Sequence, residues 1–179
     1  TIISRQNLYG LPLDEQVCVD LYAELAARRS ELVTELKKVF GFWFRGLGET
    51  MPKVNNKKRG VTAGVPYTKI KLIEFNPTSR THIAERLTTL YGWSPAQLTA
   101  SGQPKIDDEV LVKLQYPESK MLSELFLIEK RIGQVAEGEQ AWLKLARNGR
   151  IHGSVRTNGA VTGRMTHSNP NVAQVPGAK

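Results

Sequence analysis

One long helical pattern dominates the first quarter of the chain. Apolar residues recur there at spacings of four or seven: Leu13, Val17, Leu21, Leu25, Leu32, Leu36 and Phe40. Pro12 predicts the helix start, and Asp14 and Glu15 suit the positive end of the helix dipole. Gly41 predicts its end. We therefore expect an amphipathic helix over about 12–40, preceded by a linker at 1–10, with Arg28 and Arg29 on its solvated side.

Residues 42–75 have a different pattern, with six glycines and prolines from Gly46 onward. The stretch from Lys69 to Phe75 predicts a strand. A basic run, 53–59, lies between, and we interpret the whole segment as an irregular, partly β excursion with a mobile basic loop. Two interpretations of this loop stay open: either it is a solvated surface loop, or its cations contact phosphate groups directly. The contacts would be made by Lys53, Lys57, Lys58 and Arg59.

Helical patterns return after residue 75. Asn76 as cap and Pro77 as first residue predict a helix ending at Gly92, with Ile83, Leu87 and Leu90 inward. Asp107–Glu109 suggests either a metal site or a helix cap, and the cap is favoured because adjacent carboxylates seldom converge on one ion. A further helix begins at Pro117. Its apolar face comprises Leu122, Leu125, Ile128, Ile132 and Val135, with Lys130 off that face. Gly133 and Gly138 predict a close approach to another surface.

Short strands are predicted near the C-terminus. Asn148-Gly149 and Asn158-Gly159 are turn signals, and Ile151, Gly153 and Val155 alternate with polar residues. The predicted fold class is therefore α+β: mostly helical, with a small β excursion and a C-terminal antiparallel hairpin.

The segment from Thr162 to Pro176 contains no acidic residue and many hydrogen-bond donors. Gly163 can adopt positive φ and places Arg164 on a sharp turn. Such a loop suits hydrogen-bond acceptors, which duplex DNA offers on phosphates and minor-groove base edges. The alternative is an ordinary polar loop that caps a domain.

The sequence has 25 Lys and Arg and 17 Asp and Glu, which gives a net charge of +8. This charge favours an anionic partner. No apolar run is long enough to span a membrane. The single cysteine, Cys18, lies within the first helical pattern and predicts a buried thiol. The sequence contains no Gly-rich phosphate loop and no zinc-ligand spacing.

Several ordered motifs resemble those of family A (DNA polymerase I-like) DNA polymerases. Thr162-Gly163-Arg164, with Pro170-Asn171 and Pro176, resembles the loop that opens the palm of these enzymes. Thr166-His167 and Ala173-Gln174 resemble the variant found in replicative polymerases of short-tailed phages. Further matches lie at 128–134, 151–155 and 158–164. The resemblance runs from about Leu8 to Pro176.

This resemblance implies a thumb at 11–147, with its tip at 42–75, and the start of the palm at 148–179. It implies binding of primer-template DNA and of the remainder of the polymerase. The phage polymerases bind a host thioredoxin through a larger insert at the thumb tip, so a thioredoxin-like processivity factor is a further candidate partner. The resemblance also implies a cytoplasmic protein, in the host if it is phage-encoded.

Catalysis needs divalent metals held by carboxylates, and the family's aspartates belong to palm motifs beyond this sequence. We therefore expect no catalytic or metal-binding residue and no bound cofactor here, with Mg²⁺ needed by the complete polymerase. The chain alone is expected to be inactive.

The resemblance assigns Arg164 and Lys130 to the minor groove near the primer end, and Asn171 and Gln174 to sugar or base edges. The remaining expected DNA-binding residues are Thr162, Arg156, Arg150, His167 and Arg131. Two alternatives remain. One is a non-enzymatic duplex clamp or one half of a split polymerase, and the other is a protein-docking scaffold that uses residues 42–75.

Overall fold

The computed structural model describes residues 2–172 of the chain. The helices are α1 Ile2–Tyr9, α2 Glu15–Phe40, α3 Arg80–Tyr91, α4 Asp108–Lys113, α5 Pro117–Ile132 and α6 Trp142–Leu145. The strands are β1 Leu11–Pro12, β2 Phe42–Thr50, β3 Tyr67–Glu74, β4 Ala146–Arg147, β5 Arg150–Ile151, β6 Ser154–Arg156 and β7 Thr166–Ser168. These helices and small antiparallel sheets confirm the predicted α+β class.

The chain divides into two compact units. The first contains residues 1–32 and 123–179, and the second contains residues 33–122. The unit boundaries therefore lie inside α2 and α5, and differ from the predicted boundaries near residues 11 and 148. The division into thumb and palm is a statement about polymerase anatomy and stays a prediction.

The predicted first helix is confirmed, but it starts later than expected. Leu11 and Pro12 form a strand, because they pair with Ile151 and Arg150 of β5. The helix begins at Glu15, and the Asp14 carboxylate accepts a hydrogen bond from the Val17 amide at 3.1 Å. The segment interpreted as a linker carries helix α1.

Only part of the predicted apolar face of α2 is buried. Leu32, Leu36 and Phe40 are fully buried, whereas Val17 is 59% exposed. Gly41, at φ 59°, follows the helix as predicted. Cys18 is buried as predicted, and burial raises the pKa of its thiol.

The excursion at 42–75 is partly β as predicted, since β2 and β3 form a hairpin whose tip, 51–66, is irregular. Strand β3 was predicted, but β2 was missed because Gly46 and Gly48 interrupt its apolar pattern. The pairing shifts register between Gly46 and Glu49, as in a β-bulge. The tip contains a 3-10 turn over Lys57–Arg59, and the Asn56 side chain accepts a hydrogen bond from the Arg59 amide.

The core of the second unit lies beneath this hairpin and α3. The rings of Phe40 and Phe75 are 4.4 Å apart, and Ile83 and Leu87 of α3 are fully buried. Burying each such side chain contributes roughly 1.5–3 kcal/mol. Leu90 is exposed, so its predicted inward position is wrong.

Side-chain caps define the ends of α3 and α4. Ser79, rather than Asn76, caps α3, since the side-chain oxygen Oδ1 of Asn76 already accepts bonds from the Thr78 amide and hydroxyl. Gly92 ends α3 as predicted. The capping interpretation of Asp107 is confirmed by its 2.9 Å bond from the Val110 amide.

The predicted start of α5 at Pro117 and the predicted apolar face that follows it are both confirmed. The five predicted core residues from Leu122 to Val135 are all buried. After α5 the chain makes a π-helical turn, Gly133–Glu137. A Cβ added to Gly138 would clash with the Gly133 carbonyl oxygen, whereas one added to Gly133 would meet nothing within 4 Å, so the close approach is to the preceding turn and not to the other surface that was predicted.

Three short strands form one sheet in the order β1-β5-β4, and β6 pairs with β7. The Asn148-Gly149 turn is confirmed, with both residues at positive φ. Strand β7 was not predicted, since its segment was interpreted as a loop. Among residues 2–172, no helix is long and apolar enough to cross a membrane.

Candidate nucleic-acid interface

Two of the predicted DNA-binding residues line a single cleft in the first unit. Lys130 comes from the last turn of α5, and Asn171 follows β7. The cleft has a volume of about 220 Å³. Its other lining residues are Gly133, Gln134, Gln140, Trp142 and Pro170. A cation and several amide groups, together with one indole ring, therefore converge on a single concave surface.

The local fold places Lys130 at this cleft. Ile128 and Ile132 are buried, which leaves Lys130 on the exposed side of the last helical turn. The π-turn that follows widens the helix, a feature often found at functional sites. Across the cleft, the Gln140 side chain accepts a hydrogen bond from the Asn169 amide at 3.3 Å. That contact joins the segment after the π-turn to the turn that carries Asn171.

Arginines of α2 pair with carboxylates of α5 and of the π-turn that follows it. Arg29 donates two hydrogen bonds to Glu137, at 2.8 and 2.9 Å, and lies 3.6 Å from Glu129. The hydrogen bonds from Arg29 hold the pKa of Glu137 below its ordinary value. Arg28 forms a similar pair with Glu124 at 2.7 Å. Arg28 is exposed as predicted, whereas Arg29 is half-buried, and both make ion pairs that the sequence did not predict.

Lys130 itself makes no ion pair within the described part of the chain. Its exposed ammonium group is therefore available to a ligand at the cleft. Residues 140–172 add five Lys and Arg and no acidic residue. This combination favours an anionic or acceptor-rich ligand.

Arg164 lies on a tight turn of the loop between β6 and β7. Gly163 adopts φ 75° as predicted, and its amide donates to the Ala160 carbonyl at 2.9 Å. The Ala160 amide donates in turn to the Arg164 carbonyl at 3.2 Å. These two bonds fix the backbone and leave the side chains of Thr162 and Arg164 exposed.

The neighbouring strands carry two other predicted residues. Arg156 of β6 is exposed and lies opposite Thr166. His167 of β7 is half-buried and lies opposite Val155. Arg131 is also half-buried and donates to the Gln134 side chain at 3.2 Å.

Arg150 has a different environment. Its guanidinium donates to the carbonyls of Tyr9 at 2.7 Å and Gly10 at 3.2 Å. It also lies 4.0 Å from the centre of the Tyr9 ring. These contacts favour a structural role for Arg150, namely holding the C-terminal end of α1 against β5.

The other expected residues are not part of this cleft. Lys53, Lys57, Lys58 and Arg59 are exposed at the hairpin tip of the second unit. Gln174 lies outside the described residues.

Sequence reasoning missed three residues of the cleft: Gln134, Gln140 and Trp142. Gln134 belongs to a motif that carries the family resemblance and could have been named from it. Gln140 and Trp142 have no comparable signal, because their positions depend on the π-turn and the break at Gly138.

Comparison with known proteins places the chain among the DNA polymerases. The model for DNA polymerase family A matches residues 51–179. Since this match covers well over half of the sequence, the chain belongs to DNA polymerase family A.

Two phage proteins are similar to the chain over almost its full length. The DNA-directed DNA polymerase of Enterobacteria phage T3 is 40% identical over 223 residues, which include 99% of this chain. The corresponding protein of Escherichia phage T7 is 39% identical over 223 residues. The chain covers 32% of either relative, about a third of their length. Both alignments are longer than the 179 residues of the chain, so the relatives contain segments that this sequence lacks.

The residues described here do not fit a magnesium site. Within residues 2–172, no three His, Cys, Asp or Glu side chains cluster in a way that could hold a metal ion.

Proposed function

We propose that this chain is the part of a DNA-directed DNA polymerase that grips the primer-template duplex. It would comprise the thumb and the start of the palm. The observation that carries this proposal is the cleft that Lys130 and Asn171 line together, where Lys130 makes no ion pair with any described residue. Family membership supports DNA as the ligand.

The donors suit a minor-groove interaction that does not depend on sequence. Purine N3 and pyrimidine O2 atoms occupy similar positions in the minor groove of every correct base pair. An ammonium or guanidinium group directed there tests pair geometry without reading sequence. Lys130, on a helix end, and Arg164, on a hydrogen-bonded turn, are the residues proposed for this role, with Asn171 as a neighbouring contact and Gln174 as a further one. Nucleotidyl transfer, with its Mg²⁺, would belong to other segments of the polymerase, so the chain alone should add no nucleotide.

A binding experiment tests the proposal on the chain itself. Affinity for duplex DNA should be independent of sequence and should fall steeply as salt rises. Lys130→Ala should lower affinity several-fold, whereas Lys38→Ala, an exposed lysine of the second unit, should change it little. Strong, salt-insensitive binding to one sequence, or equal losses for the two variants, would contradict the proposal.

The minor-groove contact can be tested in the complete polymerase that contains this sequence. If Arg164 donates to the primer-terminal base mainly in the transition state, Arg164→Ala should slow extension by about ten- to a hundredfold. A primer ending in 3-deazaguanine lacks the N3 acceptor and should slow the unaltered enzyme similarly. The two changes together should then cost little more than either one. Independent, additive losses would show that Arg164 does not contact that acceptor.

A second candidate function is protein docking through residues 42–75. Its support is the outer face of the β2–β3 hairpin, where Phe42, Phe44, Ile70 and Leu72 are all more than half exposed. The candidate occupant is a thioredoxin-like processivity factor, the partner that the family resemblance suggests, and it would cover this apolar face. Calorimetry with thioredoxin should give binding that Phe44→Asp abolishes. Val112→Asp, at an exposed site on α4, is the control, and equal effects of the two changes would exclude the hairpin face.

A further inference from the structure

The two faces of the β2–β3 hairpin differ in chemistry. Residues directly opposite each other in an antiparallel pair share a face, and successive residues on one strand alternate between faces. Arg45 lies opposite Lys71, and Trp43 lies opposite Ile73. Lys69 and Tyr67 follow on the same side of β3, each two residues further toward the tip. We call Arg45, Lys71, Lys69 and Tyr67 the basic row.

The base of the basic row is anchored on α3. The Glu85 carboxylate accepts hydrogen bonds from the Trp43 indole, at 2.5 Å, and from the Arg45 guanidinium. The Arg86 guanidinium lies 5.2 Å from the centre of the Trp43 ring. Arg86 also has a buried Nε with no hydrogen-bond partner in the described part of the molecule. At this base the Glu85 carboxylate therefore pairs with Arg45, while Arg86 lies over the Trp43 ring.

The rest of the row has no carboxylate to balance it. Lys69 and Lys71 are exposed, and among the residues described neither forms an ion pair. Lys71 lies directly opposite Arg45, whose charge is balanced by Glu85, so the unbalanced charge of the row is that of Lys71 and Lys69. The two acids of the segment lie on the other face: Glu74 pairs with Lys37 at 2.8 Å, and Glu49 lies opposite Thr68.

The spacing of these cations suits an extended polyanion better than a small anion. Alternate residues of a strand lie roughly 6.6 Å apart, so Lys69 and Lys71 form a line rather than a cage. Three further cations, Lys57, Lys58 and Arg59, occupy the 3-10 turn at the tip. The phenol ring of Tyr67 can lie against a sugar while its hydroxyl remains hydrated.

We infer that the basic row binds the sugar–phosphate backbone of nucleic acid, at a site separate from the cleft of Lys130. The inference rests on the proposed duplex-binding function only for its choice of ligand. The row and the cleft belong to different units of the chain, so DNA binding at one site can be disproved without disproving binding at the other. An acidic protein is the competing ligand, and the experiments below distinguish it.

The first experiment measures the salt dependence of DNA binding by the full chain. Each phosphate contact contributes about 0.9 to the slope of log K against log salt for duplex DNA. Lys69→Ala combined with Lys71→Ala should therefore reduce that slope by about 1.8. The control combines Lys38→Ala with Lys120→Ala, which removes the same charge from exposed sites of the same unit. Equal reductions in the two double variants would overturn the inference.

The second experiment uses the alternation of the hairpin faces. A photo-crosslinker introduced as Tyr67→p-benzoylphenylalanine should label DNA, whereas the same substitution at Phe44 on the outer face should not. Crosslinking to duplex DNA or to single-stranded DNA of equal length supports the site. The ratio of the two crosslinking yields shows which form of DNA binds better. Equal labelling from both positions, or labelling only of an added acidic protein, overturns it. Adding Lys130→Ala should leave crosslinking at position 67 in place at saturating DNA, which separates failure of the cleft from failure of the row.

Discussion

Residues 42–75 and 140–172 carry similar charge but display it differently. The first segment has seven Lys and Arg against two Glu, and the second has five against none, so each has a net charge of +5. In the second segment, turns position the cations, as Gly163 positions Arg164. In the first, strand alternation sorts the side chains into a basic row and an apolar outer face.

The difference teaches that net charge alone does not identify a binding surface. Arg150 and Arg45 contribute to the totals, yet one holds helix α1 and the other holds the hairpin on α3. Lys130 lies outside both segments, makes no ion pair within residues 2–172 and is exposed at the cleft. The hydrogen-bond partners of each cation decide whether it can meet a ligand.

The largest effect contrasts two phenylalanines at the start of the hairpin, one buried at the end of α2 and one exposed on β2. Phe40 is fully buried against Phe75, so Phe40→Ala should lower the free energy of unfolding by about 3–5 kcal/mol. Phe44 is 68% exposed on the outer face, so Phe44→Ala should change it by less than about 0.5 kcal/mol. Urea unfolding of both variants provides the measurement. A large loss for Phe44→Ala would mean that the outer face is covered in the protein.

An intermediate effect separates the arginines of the C-terminal segment. Arg150→Ala removes two bonds to the carbonyls of Tyr9 and Gly10 and should lower the free energy of unfolding by about 1–2 kcal/mol. Arg164→Ala should change it by less than about 0.5 kcal/mol, because that side chain is exposed. Thermal unfolding and a duplex-binding assay on both variants would test the contrast. If Arg150→Ala instead weakened duplex binding without a loss of stability, the structural role assigned to Arg150 would be wrong.

The sequence predicted helices better than strands and turns. The core face of α5 was identified residue by residue because five apolar residues keep a helical period. Strand β2 was missed because two glycines break its alternation, and its partner β3 lies seventeen residues further along the chain. The start of α3 was misplaced because Asn76 and Ser79 are both acceptable caps, and only the local Thr78 contact decides between them.

The candidate site was predictable only in part, for a similar reason. Lys130, Arg164 and Asn171 could be named from motifs near them in sequence. The partnerships of Arg29 with Glu137 and of Arg150 with Tyr9 join residues more than 100 positions apart, so no local pattern signals them. The basic row likewise depends on strand register, since Arg45 and Lys71 share a face only because of their pairing.

The smallest effect tests the anchor of the basic row on α3. Glu85→Gln removes the negative charge that Arg45 and Trp43 share, and should lower the free energy of unfolding by about 1 kcal/mol at pH 7, since both partners are partly exposed. Glu74→Gln, which breaks an exposed pair with Lys37, is the control and should cost less.

The pH dependence of that loss gives the sharper test. Burial raises the pKa of Glu85, but the hydrogen bonds from Arg45 and Trp43 outweigh it and hold that pKa below its ordinary value of 4.5. A carboxyl with a lowered pKa stabilises the folded chain above its unfolded pKa, and this contribution is lost as pH falls through the folded pKa. The stability difference between the unaltered chain and Glu85→Gln should therefore be largest above about pH 5 and shrink as the solution becomes more acidic. Urea unfolding from pH 7 down to pH 3 would measure it. A difference that stays constant with pH would mean that Glu85 acts through packing alone, and the basic row would then have no electrostatic anchor at its base.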